Sequence, residues 1–357
     1  MKITKEELIK AILGKTINKT NQPNFKHQNL SGLVFNECDF SNLMIHGADF
    51  SYSNFIKCNF ENANLARDNF DFTNKFNHCI LIDSNLKGVK ADSIDLSNSN
   101  LSNSIMSEID LWNANLSFSI IINSNIINSR LWDANFISAN LTNSNISGSD
   151  IGDANFQDAN LSNVNFENCR SDSEVIFDSA NLRKSNLSHC KLESPHFTKA
   201  DLRGAKLNNS KFINAWFNDV CFIDAELKNS IFTQHANFED SDFRNAKLNG
   251  SNLTGAHLCN ANFRDADLQD VDFTNANLEG ADFTDANLTN TIFVNANLRN
   301  TNFRFADLIN TNFTNSDLSD SDFKYSRTKD ILLTNVSSFD SIDGKEIRLP
   351  LTTCRSN

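Results

Sequence analysis

The stretch 261-ANFRDADLQDVDFTNANLEGADFTDANL-288 repeats a five-residue pattern: a small residue, Asn or Asp, Phe or Leu, and then two mostly polar residues. A helix buries an apolar residue about every 3.6 positions and a strand every second position, so a period of five matches neither. The small and large residues flank a polar one, as in a very short strand, and the next two residues turn the chain. The pattern therefore predicts a chain that turns after every short strand and coils.

The period of five extends through most of the chain. The large apolar position recurs in fives over four segments, 30–70, 76–166, 177–232 and 238–323. We expect a single inserted residue at each of the three junctions. Stacked coils of this kind pair their backbones in parallel and bury the large and small positions in a narrow core.

This A(N/D)LXX pattern, over about residues 28–325, resembles the pentapeptide repeat family. The resemblance implies an all-β fold, a right-handed, four-sided parallel β-helix with four pentapeptides in each coil. Phe and Leu alternate from Phe263 to Phe323, with a ten-residue period equal to half of such a coil. Under the family geometry, Phe would therefore stack on two opposite faces and Leu on the other two.

Five cysteines recur at about one coil's spacing. Cys58 follows Cys38 by 20 residues, and Cys79 follows after 21 more, across the first junction. We predict that these three share one column, and that Cys169 and Cys190 share another. Stacked coils place parallel Cβ vectors side by side without convergence, so we expect small buried thiols and no disulfides.

Capping elements are expected at both ends of the β-helix, because an open end would expose core and unpaired backbone. Residues 1–26 form a basic segment, in which a capping box of Thr4 and Glu7 predicts a short helix over 3–17. The β-helix would then occupy 27–325 and a C-terminal cap 326–357. Asp343-Gly344 predicts a hairpin in that cap, with pairing to a second copy, a homodimer, as the alternative.

The composition is acidic and unusually rich in asparagine. Residues 1–26 carry six lysines against two glutamates, a balance of +4, which leaves −16 for the rest of a chain whose net charge is −12. The 57 asparagines and 30 phenylalanines occur with only 11 glycines and three prolines, which favours an ordered core over a flexible linker. Part of the asparagine is expected to form side-chain ladders between coils. We expect no direct binding of nucleic acid.

The sequence shows no apolar run of about 18 residues and no signal peptide, so we predict no membrane span and a bacterial cytoplasmic location. Secretion by a specialised system that needs no cleaved signal is the alternative. Catalytic, phosphate-binding and dinucleotide-binding motifs are absent, and we expect no enzyme, cofactor or metal site. The seven histidines are scattered along the repeat: 27, 46, 78, 189, 196, 235 and 257.

The most unusual predicted surface lies in the middle of the chain. Trp112 and Trp132 each follow the large residue, point outward, and are 20 residues apart, so they would stack on one face in adjacent coils. Other large apolar residues occupy outward positions nearby, and such an exposed cluster predicts a protein-binding patch. The alternative is that stacked outward side chains shield one another and only stiffen the repeat. The predicted patch consists of Trp112, Phe118, Ile122, Ile127, Trp132 and Ile137.

These features favour a non-enzymatic protein-binding scaffold, a rigid acidic rod whose partner is a protein. Two other functions stay open. The basic N-terminal segment fits a bacterial effector delivered into host cells. The outward acids fit a DNA-mimic inhibitor of DNA gyrase or topoisomerase, as family members similar to this chain include quinolone-resistance proteins that act in that way. However, duplex DNA as long as the predicted rod, about 70 Å, carries about 40 negative charges, more than twice the −16 of this chain after residue 26. Those family members also have loops that project from the rod, and the single-residue insertions predicted here leave no room for such loops.

Overall fold

The structure is a computed structural model that describes residues 25, 28–45, 47–65, 74–233 and 236–337. The chain divides into two compact units, Met1–His196 and Phe197–Asn357. Within each unit the described residues form a parallel β-helix with no α-helix. The described part of the chain has no helix that is long and apolar enough to cross a membrane.

Pairing between coils is parallel throughout and uses very short strands and single-residue bridges. The strands are β1 Val34–Asn36, β2 Asn54–Ile56, β3 Arg170–Ser171, β4 Val175–Ile176, β5 Lys191–Glu193, β6 Pro195–His196, β7 Lys211–Ile213, β8 Ile231–Thr233, β9 Asp307–Ile309 and β10 Arg327–Lys329. In the first unit β1 pairs with β2, β3 with β5, and β4 with β6; in the second β7 pairs with β8 and β9 with β10. Val34 lies opposite Asn54 and Lys211 opposite Ile231, so one coil contains four pentapeptides, as predicted.

Each pentapeptide ends in a tight turn that explains much of the asparagine and aspartate. In the turn from Phe263 to Ala266, the Ala266 N–H donates to the Phe263 carbonyl at 3.1 Å. Asp265, the third residue of this turn, has a φ of 58°. Type II turns need a positive φ at that position, and Asn, Asp and Gly tolerate it best. The same position has a positive φ in nearly every described coil.

The Asn or Asp before each large residue stabilises the same turn from its other side. The Asn262 Oδ1 atom accepts the N–H of Arg264, two residues later, at 3.1 Å. Asparagines at the third turn position, the one with positive φ, also bond to each other from coil to coil. Asn143 Nδ2 donates to Asn123 Oδ1 at 3.2 Å, and Asn163 Nδ2 donates to Asn143 Oδ1 at 3.1 Å. The predicted asparagine ladders are therefore present, together with a role in the turns that the sequence argument did not include.

The core of the second unit consists of stacked columns of large residues. Phe273 and Phe293 are buried and stack at 5.2 Å with ring planes 3° apart. Phe283 belongs to the opposite column and meets Phe293 edge to face at 5.7 Å across the core. Leu278 and Leu298 are buried in the intervening columns. This arrangement follows the predicted alternation of Phe and Leu.

The bridge register corrects the first predicted insertion. Asp49 lies opposite Lys75, and Asn54 opposite Ile80. Both pairs are 26 residues apart, so this coil contains six residues more than a regular one, and the prediction of one extra residue was wrong. At the other two junctions, Asn155–Ile176 and Trp216–Asn237, the spacing is 21 residues, which confirms single insertions there.

The Asn74 side chain bonds to backbone groups beside the six-residue insertion. Its side chain is fully buried at a position that elsewhere holds a small residue. The Asn74 Nδ2 group donates to the carbonyls of Ile45 and Leu65, both at 2.6 Å. The Ala48 N–H donates to Asn74 Oδ1 at 3.0 Å. One side-chain amide thus satisfies three backbone groups at the point where the regular repeat is interrupted.

The revised register also separates one cysteine from its predicted column. Cys38 and Cys58 share a column, but Cys79 lies in the column of Ser53 and donates to the carbonyl of Phe50 at 3.0 Å. The prediction that Cys79 joins Cys38 and Cys58 was therefore wrong, because it assumed one extra residue in place of six. Cys58 and Cys79 are buried free thiols, and burial raises the pKa of each to about 12.

The second predicted cysteine column is present. Arg170 lies opposite Lys191, which places Cys169 next to Cys190 in adjacent coils, and both are buried cysteines without a disulfide bond. Burial raises the pKa of Cys169 to about 12 and that of Cys190 well above its ordinary value. Such thiols are protonated at neutral pH and are poor nucleophiles and poor metal ligands. They pack as small apolar residues.

Most of the two predicted caps lies outside the described residues. This holds for the basic segment with its helix over 3–17 and for the hairpin at Asp343-Gly344. At the C-terminal end the coil continues past the predicted boundary at 325, because β10 pairs with β9 and Asp317 lies opposite Ser337.

Candidate functional site

Trp112 and Trp132 lie at the same corner of the first unit, one coil apart. The residues two positions before them, Asp110 and Arg130, form a parallel bridge, which fixes this register. The two indoles are 38% and 39% exposed. The turn after Leu111 and the turn after Leu131 present both side chains outward, because the leucines fill the core position of each pentapeptide. The predicted juxtaposition of the two tryptophans is therefore found.

The other predicted patch residues lie at different corners. Phe118 and Ile137 follow the Asn115–Asn135 bridge, Ile122 follows Ile120–Asn140, and Ile127 follows Asn125–Asn145. The six residues are thus distributed over all four corners of the coil. Phe118 is 60% exposed, whereas the three isoleucines are only partly exposed. The structure brings together only Trp112 and Trp132, with Phe118 and Ile137 sharing the next corner.

The Arg130 side chain packs over Trp112 and pairs with Asp110. Its guanidinium carbon lies 5.1 Å from the Trp112 ring centroid, and its Nη1 atom is 3.5 Å from Asp110 Oδ2. The column continues with Asp150 and Arg170, whose closest charged atoms are 3.6 Å apart. Acidic and basic side chains therefore alternate along this column in successive coils. This arrangement was not predicted, although the alternation of Asp and Arg every 20 residues from Asp110 to Arg170 is visible in the sequence.

The Trp132 indole is fixed by Gly152 and Ser173. The Trp132 Nε1–H donates to Ser173 Oγ at 3.3 Å. Gly152 occupies the turn position of Trp132 in the following coil, and a Cβ atom at Gly152 would lie only 2.2 Å from Trp132 Nε1. Glycine at this position therefore makes room for the indole. The indole borders a cleft of about 270 Å³, lined by Arg130, Trp132, Asp150, Asp172 and Ser173.

The comparison with protein families agrees with this geometry. The family model for pentapeptide repeats matches residues 24–51, 45–74, 94–133, 134–170, 196–234, 236–275, 266–304, 281–320 and 296–327. The chain belongs to the pentapeptide repeat family.

Solved structures similar to this pentapeptide repeat protein include QnrB1 and HetL. QnrB1, described as a plasmid-mediated fluoroquinolone resistance protein, is 17% identical, with 60% of this chain and 90% of QnrB1 covered and a TM-score of 0.26. HetL from the cyanobacterium Nostoc, described as involved in heterocyst differentiation regulation, is 22% identical, with 91% and 96% covered and a TM-score of 0.16. These likenesses concern the fold alone. No curated protein matches the chain.

A second exposed aromatic pair lies in the second unit of this pentapeptide repeat protein. Phe305 and Tyr325, one coil apart, stack at 5.0 Å, and both adopt the positive φ of the third turn residue. The Arg304 guanidinium lies 6.0 and 5.7 Å from their ring centroids. Sequence reasoning missed this pair, although the spacing of 20 residues was visible. The third tryptophan, Trp216, is exposed in the same unit.

Among the described residues, no group of His, Cys, Asp or Glu side chains is arranged to hold a metal ion. His189 and His196, the histidines nearest to Cys190 in the sequence, do not converge with it into such a group. The side chains around Trp112 and Trp132 supply two aromatic faces, a guanidinium and the carboxylates of Asp110 and Asp150.

The Gly152→Ala substitution tests the packing of Trp132. We expect it to lower the free energy of unfolding by about 1–3 kcal/mol, because the new methyl group overlaps the indole. In a Trp132→Ala background the overlap with the indole is gone and only the Ser173 hydroxyl, 2.8 Å from the new Cβ atom, has to shift, so Gly152→Ala should be close to neutral. Urea unfolding of the four variants measures both effects. An equal loss in the two backgrounds would contradict the assigned role of Gly152.

Proposed function

We propose that the chain is a non-enzymatic protein-binding scaffold that contacts its partner through the tryptophan corner, defined as Trp112, Arg130, Trp132, Gly152 and Ser173. The observation that carries this proposal is the pair of exposed indoles at one corner of consecutive coils. Trp and Arg are the residue types that contribute most often to the energetic centres of protein interfaces.

The corner is also ordered before any partner arrives. Arg130 lies against Trp112, and Ser173 accepts a hydrogen bond from Trp132. Side chains that are already restrained lose less conformational entropy on binding, which leaves more of the contact energy as affinity. The β-helix backbone beneath them is continuously bonded to the neighbouring coils, so the two indoles keep their spacing.

The test begins with affinity capture from bacterial and host-cell lysates, followed by purification of the captured protein and measurement of its dissociation constant by calorimetry. Combined Trp112→Ala and Trp132→Ala substitutions should weaken binding at least about thirtyfold, because truncation of a hot-spot residue costs about 2 kcal/mol or more. The matched control is Trp216→Ala, which removes an exposed tryptophan from the second unit and should leave the affinity unchanged.

An affinity that is equal for the wild type and the double variant would overturn the site assignment. Far-UV circular dichroism of each variant separates a loss of contact from a loss of fold. Loss of binding in the Trp216→Ala protein alone would move the contact surface to the second unit.

The other two functions predicted from the sequence have less support from the geometry. DNA mimicry needs uncompensated acidic surface, and part of the outward acid is paired: Asp201 and Asp242 each lie 2.6 Å, between the closest charged atoms, from an arginine two residues away. Delivery into host cells depends on the basic segment 1–26, nearly all of which lies outside the described residues. The predicted homodimer depends on the C-terminal cap, of which residues 338–357 also lie outside them.

A further inference from the structure

We propose that the cleft beside Trp132 receives an arginine side chain of the protein partner. The inference rests on the proposed function for the source of that arginine, and it adds the chemical group that the site recognises. Three features of the cleft support it: a position equivalent to that of a bound guanidinium, space beside an exposed indole, and two carboxylates that can accept further hydrogen bonds.

The first feature is an equivalence between neighbouring coils. Arg130 belongs to the coil after Trp112, and its guanidinium lies over the Trp112 ring while pairing with Asp110. The residue that stands in the same relation to Trp132 is Asp150. A carboxylate therefore takes the place of the guanidinium, and within residues 74–196 no cation lies over the Trp132 ring. A guanidinium from a partner would complete the arrangement that the protein already makes at Trp112.

The second feature is space. The Trp132 indole, seated over Gly152, borders an open cleft of about 270 Å³. That volume is smaller than the clefts that bind drug-sized ligands and is suited to a single long side chain. The Trp132 Nε1–H is already bonded to Ser173, which leaves the ring face as the available surface of the indole.

The third feature is the pair of carboxylates that line the cleft, Asp150 and Asp172. Each has one cationic neighbour, Arg170 at 3.6 Å from Asp150 and Lys191 at 3.7 Å from Asp172, and the Asp172 side chain is 85% exposed. Each carboxylate has room for further hydrogen bonds. Arginine fits better than lysine, because its planar guanidinium can stack on an indole and bond a carboxylate at the same time.

The experiment uses the full chain labelled with 5-fluorotryptophan, whose three ¹⁹F resonances are assigned with Trp→Phe variants. The probe is N-acetylarginine amide, titrated to millimolar concentration. We expect a saturable shift of the Trp132 resonance, with the Trp216 resonance unchanged. N-acetylcitrulline amide has nearly the same shape without the charge and should leave all three resonances in place.

Combined Asp150→Asn and Asp172→Asn substitutions should weaken the probe about tenfold or more. The carboxylates are on the surface, so these variants are expected to fold, and their unchanged Trp112 resonance would show it. An absent shift, an equal shift with citrulline, or a shift only with N-acetylglutamate amide would overturn the proposal, the last by assigning the cleft to an anion beside Arg130. Probe binding needs no partner protein, so its failure is distinguishable from failure of the scaffold function.

Discussion

Replacement of Asn74 by alanine is expected to lower the free energy of unfolding by about 3–5 kcal/mol. The Asn74 side chain is fully buried and bonds to the carbonyls of Ile45 and Leu65 and to the N–H of Ala48. Alanine would leave all three backbone groups buried without a partner, and each such group costs about 1–3 kcal/mol. Urea unfolding followed by far-UV circular dichroism measures the change.

The control is Asn85→Ala in the same unit. Asn85 also uses both ends of its amide, accepting from the Lys87 N–H and donating to Asn59, but it is only partly buried, and water can replace its bonds. We expect a loss of about 1 kcal/mol or less. If the two variants lost equal stability, Asn74 would not have the closing role that the register assigns to it.

Replacement of Phe293 by alanine is expected to cost about 3–5 kcal/mol in the second unit. The Phe293 ring is fully buried and stacks at 5.2 Å on both Phe273 and Phe313. It also meets Phe283 and Phe303 edge to face. Truncation would leave a cavity that the paired coils cannot close, because their spacing is set by backbone hydrogen bonds. Urea unfolding again measures the loss.

Phe305→Ala provides the matched control for this prediction. Phe305 is the same residue type in the same unit and also stacks on an aromatic ring one coil away, but it is exposed. Its removal should cost about 1 kcal/mol or less. Comparable losses for Phe293 and Phe305 would mean that the buried columns do not supply the stability of the unit.

The five-residue period predicted stacked coils of short strands and turns, and the resemblance to the pentapeptide repeat family supplied the four-sided β-helix. The limit of the period appears at residue 70. A period of five reports only the phase of the chain, and an insertion of six residues produces the same phase as an insertion of one. Phe70 therefore fitted the pattern, and only the bridge from Asp49 to Lys75 showed which coil follows. The misplacement of Cys79 has the same origin.

The candidate site was predicted in part for a related reason. Trp112 and Trp132 could be paired because no insertion lies between them, and equal turn positions one coil apart share a corner. Ile122 and Ile127 have the same turn position but different phases within the coil, so they face other directions. The position of Ser173 depends on the single-residue insertion near residue 172, and its contact with Trp132 required the structure.

The measurement that tests the tryptophan corner most directly is the ¹⁹F spectrum of the 5-fluorotryptophan-labelled wild-type chain with and without the purified partner. It needs no substitution, and its three probes report both units at once. We predict that the Trp112 and Trp132 resonances shift or broaden on complex formation, while the Trp216 resonance stays in place. A complex that changes only the Trp216 resonance, or none of the three, would contradict it.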